Sequence, residues 1–297
     1  MSVQSPKLLK EKDKVVIIAT SKKFTGDIAP AVKLLEGWGL QVILGDNLFK
    51  GDNLLAGTDD ERAADLQSAL DNKEIKAIFC VRGGYGASRI IDRIDFKKFL
   101  KQPKWVVGYS DVTVLHSHIH GLGIQSIHGT MPMLFDRDSA ESLESLRKAL
   151  FEGENLYTIS SHPLNREGKV KAEIVGGNFS ILSTIIGTKS DLDTKGKILF
   201  IEEIDEYLYE IDRMTVHLKR AGKLKKLAGL IVGHMTGIKD GEVPFGKNAY
   251  EIVADAVKEY NFPVCYGFPA GHERENYSII LGKRTSLQVT AEAVTIS

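Results

Sequence analysis

Short β-branched runs alternate with helically spaced segments through the first half of the chain, and this alternation constrains the fold more than any other feature. "KVVIIAT", "LQVILG", "IKAIFCV" and "KWVVGY" each read as a buried strand. Between and after them, "DIAPAVKLLEGWG", "TDDERAADLQSALDN", "GASRIIDRI" and "DVTVLHSHIHGLG" have helical spacing. Thr58 is placed to cap the second of these, and acidic residues crowd its first turn, where the helix dipole favours them. Such alternation implies a parallel sheet covered on both faces. In sheets of this kind, sites form at the carboxyl ends of the strands. The loop "RGGYG" and Ser110 both follow a strand, so both are expected on that edge.

The chain has 297 residues, enough for two domains of about 100–200 residues each. The polar, turn-rich stretch 153–169 is the expected linker between an N-terminal α/β domain (1–152) and a C-terminal domain (170–297). The second half is richer in strands: "GKILFIEE", "LAGLIVG", "FPVCYGF", "YSIILG" and "SLQVTAEAVTIS". Helices are expected at "EYLYEIDRMTVHLKRAG" and "NAYEIVADAVKEY".

Lys plus Arg equals Asp plus Glu at 39 each, so the basic excess of a nucleic-acid binder is missing. No run approaches the roughly 18 apolar residues of a membrane span. No long apolar run precedes the first strand, so no export signal is expected. Cys80 and Cys265 lie in apolar strand contexts and are expected buried and reduced. Together these features point to a cytoplasmic protein.

Ser110 stands where a strand ends and a helix begins. A serine hydroxyl needs a base to become a nucleophile. A tight strand-to-helix turn would expose its oxygen and aim the new helix's N–H groups at a developing oxyanion. The elbow pattern G-x-S-x-G is incomplete, because its fifth position is Val112, and spacing alone favours a helix cap. In "RGGYG", Gly83 or Gly84 could supply a second oxyanion N–H, while no nucleotide-binding glycine motif is present. Among eight histidines, His272 in "GFPAGHEREN" follows a strand and a Pro-Gly loop, a position from which an imidazole reaches a neighbouring site. Glu202 or Glu203 in "LFIEE" would orient it, one pointing inward and the other solvated. His116 and His120 in "HSHIH" share a helix face, but zinc needs a third ligand and no metalloprotease motif is present.

Taken in order, "AGTDDERAADLQ", "RGGYGASRIID", "GYSDVT", "HGTM", "GGNFS", "LFIEE" and "GFPAGH" resemble the LD-carboxypeptidases, serine peptidases that also include microcin C immunity peptidases. The resemblance covers nearly the whole chain. It departs near the first strand, where "ATS" stands for the more usual "APS". It implies an N-terminal domain like class I glutamine amidotransferases, with a flavodoxin-like parallel sheet, joined to a strand-rich α/β C-terminal domain. It implies Ser110 as nucleophile, Glu202 as triad acid and His272 as base, with the N–H groups of Gly84 and Asp111 as oxyanion donors. Arg82, Tyr85, Asn178 and Arg274 are the expected substrate contacts. It further implies a homodimer, no metal or other cofactor, and a muropeptide or small-peptide substrate. The reaction it implies removes D-alanine from a muropeptide tetrapeptide during peptidoglycan recycling. The alternatives are a microcin-type peptidase cutting a peptidyl or aminoacyl nucleotide, and a catalytically silent binding protein on the same scaffold.

Overall fold

The computed structural model describes residues 3–297. Its first half contains β1 (Lys14–Ile18), α1 (Ala29–Gly37), β2 (Gln41–Leu44), α2 (Asp59–Asp71), β3 (Ile75–Cys80), α3 (Ala87–Ile90), α4 (Lys97–Lys101), β4 (Trp105–Gly108), α5 (Thr113–Gly121), β5 (Ser126–His128) and α6 (Ala140–Phe151). The second half contains β6 (Tyr157–Ser160), β7 (Gly168–Asn178), α7 (Phe179–Thr184), β8 (Ile198–Ile204), α8 (Leu208–Arg220), β9 (Gly229–Thr236), α9 (Ala249–Val257), β10 (Val264–Tyr266), β11 (Ile279–Leu281), β12 (Arg284–Val289) and β13 (Ala293–Ile296).

The first sheet has the order β11-β5-β4-β3-β1-β2. Its strands β2, β1, β3, β4 and β5 are parallel, in the order of flavodoxin-like folds. Both faces are covered. Along β1, Val15 and Ile17 join one apolar cluster while Val16 and Ile18 join another, as the two-residue period of a strand requires. The second sheet has the order β10-β9-β8-β7-β12-β13-β6, parallel from β10 to β7 and antiparallel beyond. One apolar cluster runs between the sheets, joining Val106 and Val114 to Val175, Leu199 and Val232. Each such side chain contributes about 1.5–3 kcal/mol on full burial.

Two features depart from the sequence reading. The strand expected at "YSIILG" forms, but as β11 it leaves the second half and pairs antiparallel with β5 in the first sheet. Its three residues are all buried, and they cover an edge that would otherwise expose unpaired backbone. The chain that connects β10 to β11 therefore passes from one sheet to the other. The stretch expected as a linker contains β6, an edge strand paired with β13. Its alternating half-buried and exposed residues explain why it looked polar.

Thr58 caps α2 as expected. Its hydroxyl accepts from Glu61 N (3.2 Å), and Glu61 Oε2 accepts from Thr58 N (2.8 Å), forming a reciprocal box. Thr58→Ala is expected to cost about 1 kcal/mol, read as a lower urea midpoint at unchanged m-value. Among the described residues no helix is long and apolar enough to cross a membrane.

Candidate active site

Ser110 adopts φ +62°, a left-handed conformation that a non-glycine residue holds only under constraint. It opens a 3-10 turn, Ser110–Val112, that leads directly into α5. Gly108 makes room for the corner, because a Cβ there would lie 2.9 Å from Val112 Cγ2. His116 braces the strand end from behind: its Nε2 lies 2.8 Å from Gly108 O and its Nδ1 2.9 Å from Ser126 Oγ. Burial pushes that imidazole down to about 4, so it stays neutral.

The loop after β3 folds against this corner. A Cβ on Gly83 would sit 2.8 Å from Ser110 Cβ and 3.3 Å from Asp111 N, so only glycine allows the approach. Gly84 has φ +113°, and the stem of Lys22 occupies the space where its side chain would begin. Lys22 carries no sequence signal that would have drawn attention to it.

His272 comes from the β10–β11 crossover. Its Nδ1 lies 2.7 Å from Glu202 Oε2, and its ring packs 4.7 Å from that of Tyr109, the residue before Ser110. Among the described residues this is its sole hydrogen bond, and Nε2 makes none. Glu202, near the end of β8, is wholly buried. Gly271 permits the approach, since a Cβ there would lie 2.9 Å from Glu202 Oε2. Burial pulls the His272 imidazole down, but the adjacent Glu202 carboxylate, aided by Glu203 and Asp205, outweighs it, and the net shift is upward.

Glu203 is not solvated, contrary to the sequence reading. It is as buried as Glu202, because its carboxylate accepts from Asn178 Nδ2 (2.8 Å), Ser180 N (2.6 Å) and Ile204 N (2.9 Å). Asn178, expected to touch substrate, is buried beside it. Its Nδ2 is spent on Glu203, and its Oδ1 caps α7 by accepting from Ile181 N (3.2 Å) and Ser180 Oγ (2.9 Å). Tyr85 and Arg274 are exposed. Arg274 Nε donates to Arg137 O (2.9 Å), and Arg82 Nη1 donates to Lys23 O (3.0 Å).

The three histidines of "HSHIH" diverge. His118 stacks on Phe96 and lies 3.0 Å from Ser190 Oγ, while His120 faces Glu173. Among the described residues no cluster of three or more potential ligands could hold a metal ion.

Sequence reasoning missed His128. It is fully buried between Tyr109 (5.6 Å between ring centres) and Phe200 (4.8 Å), with neither ring nitrogen hydrogen-bonded. Burial, then His116 and His272, push its imidazole well down, so it is neutral. The sequence signal was its motif "HGTM", but only the fold shows what the ring touches.

A serine on a strained strand-to-helix corner, with a histidine held by a buried glutamate packed on the neighbouring Tyr109, is an arrangement compatible with a serine-type hydrolase on an α/β scaffold. Residues 15–129 match the LD-carboxypeptidase N-terminal domain and residues 171–287 match the LD-carboxypeptidase C-terminal domain. A probable murein peptide carboxypeptidase of Bacillus subtilis is 37% identical over 98% of this chain and 93% of that protein. A murein tetrapeptide carboxypeptidase of Pseudomonas aeruginosa is 28% identical over 93% of each. The crystal structure of muramoyltetrapeptide carboxypeptidase from Oxalobacter formigenes superposes with TM-score 0.87 at 28% identity, covering 95% of this chain and 97% of that one. A microcin C7 self-immunity protein has the same TM-score at 22% identity, over 98% of each chain, and so shares the fold. The chain belongs to the LD-carboxypeptidase family and is a serine-type carboxypeptidase.

Proposed function

We propose that the protein removes the C-terminal D-alanine from muropeptide tetrapeptides, cutting the L,D bond during peptidoglycan recycling. The observation that carries this reading is the His272–Glu202 pair set beside the corner at Ser110. In the proposed mechanism His272 Nε2 takes the proton from Ser110 Oγ as the oxygen attacks the scissile carbonyl. Glu202 fixes the imidazole tautomer and stabilises the imidazolium. The N–H groups of Asp111 and Gly84 receive the oxyanion. The tetrahedral intermediate collapses, D-alanine leaves with the proton from His272, and water hydrolyses the acyl-enzyme by the same steps. Arg82 and Arg274 are the candidate partners of the terminal carboxylate, and the exposed Tyr85 of the "RGGYG" loop is a further candidate substrate contact. The buried, unpaired Cys80 and Cys265 suit a reducing cytoplasm, and the family resemblance supports a homodimer.

The test is release of D-alanine from L-Ala–γ-D-Glu–diamino-acid–D-Ala by the purified protein. No release overturns the proposal. A second reading is a peptidase for aminoacyl or peptidyl nucleotides. It draws support from Tyr207 and Tyr209, two exposed rings 5.6 Å apart, with the Arg213 guanidinium 5.3 Å over the second. Side-by-side kcat/KM values for the two substrate classes decide between them.

The raised His272 basicity has a direction in pH. The base must be neutral to act, so kcat/KM rises with pH through an acid limb set above the usual imidazole pKa of about 6.5. Glu202→Gln removes the largest upward influence, and its acid limb is expected at lower pH than the wild type's. A limb that stays in place would remove Glu202 from this role.

A further inference from the structure

We propose that Arg62 and Asp111 clamp the Gly86–Ala87 peptide from its two ends and so hold the "RGGYG" loop in the shape its oxyanion N–H requires. The inference rests on the reading of Ser110 as nucleophile and of Gly84 N–H as an oxyanion donor.

Arg62 lies on α2, far from Ser110 in sequence, and its residue is 0% exposed. Its Nη1 donates to Gly86 O (2.9 Å) and to Thr20 O (3.0 Å). Its Nη2 is ion-paired with Asp59 in the first turn of α2. Asp111 is 1% exposed, and its Oδ2 accepts from Ala87 N (2.8 Å) and Ser21 Oγ (2.6 Å). Gly86 O and Ala87 N belong to one planar peptide group. The Arg62 guanidinium therefore holds its oxygen and the Asp111 carboxyl holds its N–H; burial pushes that carboxyl up, while the bonds from Ser21 and Ala87 N and the nearby Arg62 oppose the shift. Charge-assisted bonds of this kind are stronger than neutral ones, and they strengthen further where water is excluded. Together they fix the rotation of that plane, which ends the loop carrying Gly83 and Gly84.

Three further observations favour a dedicated device. Buried ionisable side chains are costly to retain, yet two of opposite kind, Arg62 and Asp111, converge here on one peptide. Gly86 has φ +140°, and a Cβ there would lie 2.8 Å from Arg62 Nη1, so the guanidinium and the glycine require each other. Asp111 is the residue after Ser110, so the clamp ties the oxyanion loop to the corner itself. The departure "ATS" is harmless to it, because position 20 contributes its carbonyl and Ser21 is retained. Arg62 and the Asp111 carboxylate act here as positioning groups; the Asp111 N–H keeps its separate role toward the oxyanion.

The experiment measures kcat and KM on the tetrapeptide for wild type, Ser110→Ala, Arg62→Met, Asp111→Ala and the Arg62→Met/Asp111→Ala double variant. It adds the Kd of a tripeptide aldehyde that forms a tetrahedral adduct with Ser110. Loss of a whole oxyanion donor costs about 10²–10³-fold in kcat. Each clamp variant is expected to lose roughly 10–100-fold in kcat, with KM within about two-fold, because the loss falls on the transition state. Aldehyde affinity is expected to fall in step with kcat/KM. The double variant is expected to be little worse than the poorer single one, since both groups hold one peptide. Wild-type kcat in folded Arg62→Met, or losses that multiply in the double variant, overturns the clamp. Should Arg62→Met fail to fold, Asp111→Ala decides: wild-type aldehyde affinity there overturns it. Wild-type turnover by Ser110→Ala would instead overturn the underlying functional reading.

Discussion

Ser110→Ala is expected to lower kcat by about 10⁶-fold while leaving the folded structure intact. The size follows from how the proposed groups act. Without the Oγ there is nothing for His272 to deprotonate, and the Glu202–His272 pair becomes idle. What survives is binding and oxyanion stabilisation, which leaves roughly 10³–10⁴ over the uncatalysed rate. Stability should hardly change. Alanine bears the left-handed φ of +62° about as well as serine does, so no new strain is introduced. His272→Ala is expected to cost nearly as much, and the double variant no more than either single one, because the residues work as a unit. The measurement is D-alanine release followed over long incubations. Retention of about a tenth of the wild-type rate by Ser110→Ala would remove it as nucleophile.

The second large effect is on folding. Gly176→Ala is expected to destabilise the protein by more than about 4 kcal/mol, the range reserved for specific structural failures. Gly176 pairs with Phe200 across β7 and β8. A Cβ at Gly176 would lie 1.8 Å from Phe200 O, a backbone atom that cannot turn aside. Its φ of +134° is itself strained for any side chain. The next residue adds a second close approach, since a Cβ on Gly177 would meet Thr113 Oγ1 at 2.4 Å. That hydroxyl accepts from Asn178 N (2.9 Å), so the "GGN" stretch seats β7 directly on the start of α5. Phe200 stands two residues before Glu202, and β8 cannot shift without moving the acid. Urea unfolding is the measurement. A loss below about 1 kcal/mol would show that the two strands adjust more freely than their register implies.

Much of the fold was legible because it is written in local physics. The β-branched runs from β1 to β4 and the capped start of α2 follow from period and turn chemistry over a few residues. The position of Ser110, between a strand and a helix, was legible for the same reason. Its strained φ was not, because the conformation is imposed by the packing of Gly83 and the brace from His116. Glu202 and Glu203 look alike in sequence. They differ because one meets His272 while the other meets Asn178 and the backbone at the start of α7. That Asn178 caps α7 and binds Glu203 was not legible, because both partners are set by the packing of β7 against β8. The burial of Arg62 was not legible, because its partners Thr20 O and Gly86 O lie on other segments of the chain.

By itself the sequence determined the order of elements, the edge on which Ser110 and "RGGYG" would lie, and, by its ordered motifs, the family. Periodicity, caps and glycine placement act over one or two turns of chain, so they can be read from it. Spacing left open which carboxylate faces the histidine, the ordered motifs pointed to Glu202, and tertiary structure alone decided where Glu203 is buried and which peptide Arg62 and Asp111 grip. It also decided that the segment after β10 crosses to the first sheet, carrying His272 onto Tyr109, the residue before Ser110. Those outcomes depend on pairings between residues tens to hundreds of positions apart. They form only when both sheets have buried their faces against a shared core, and no local preference encodes them.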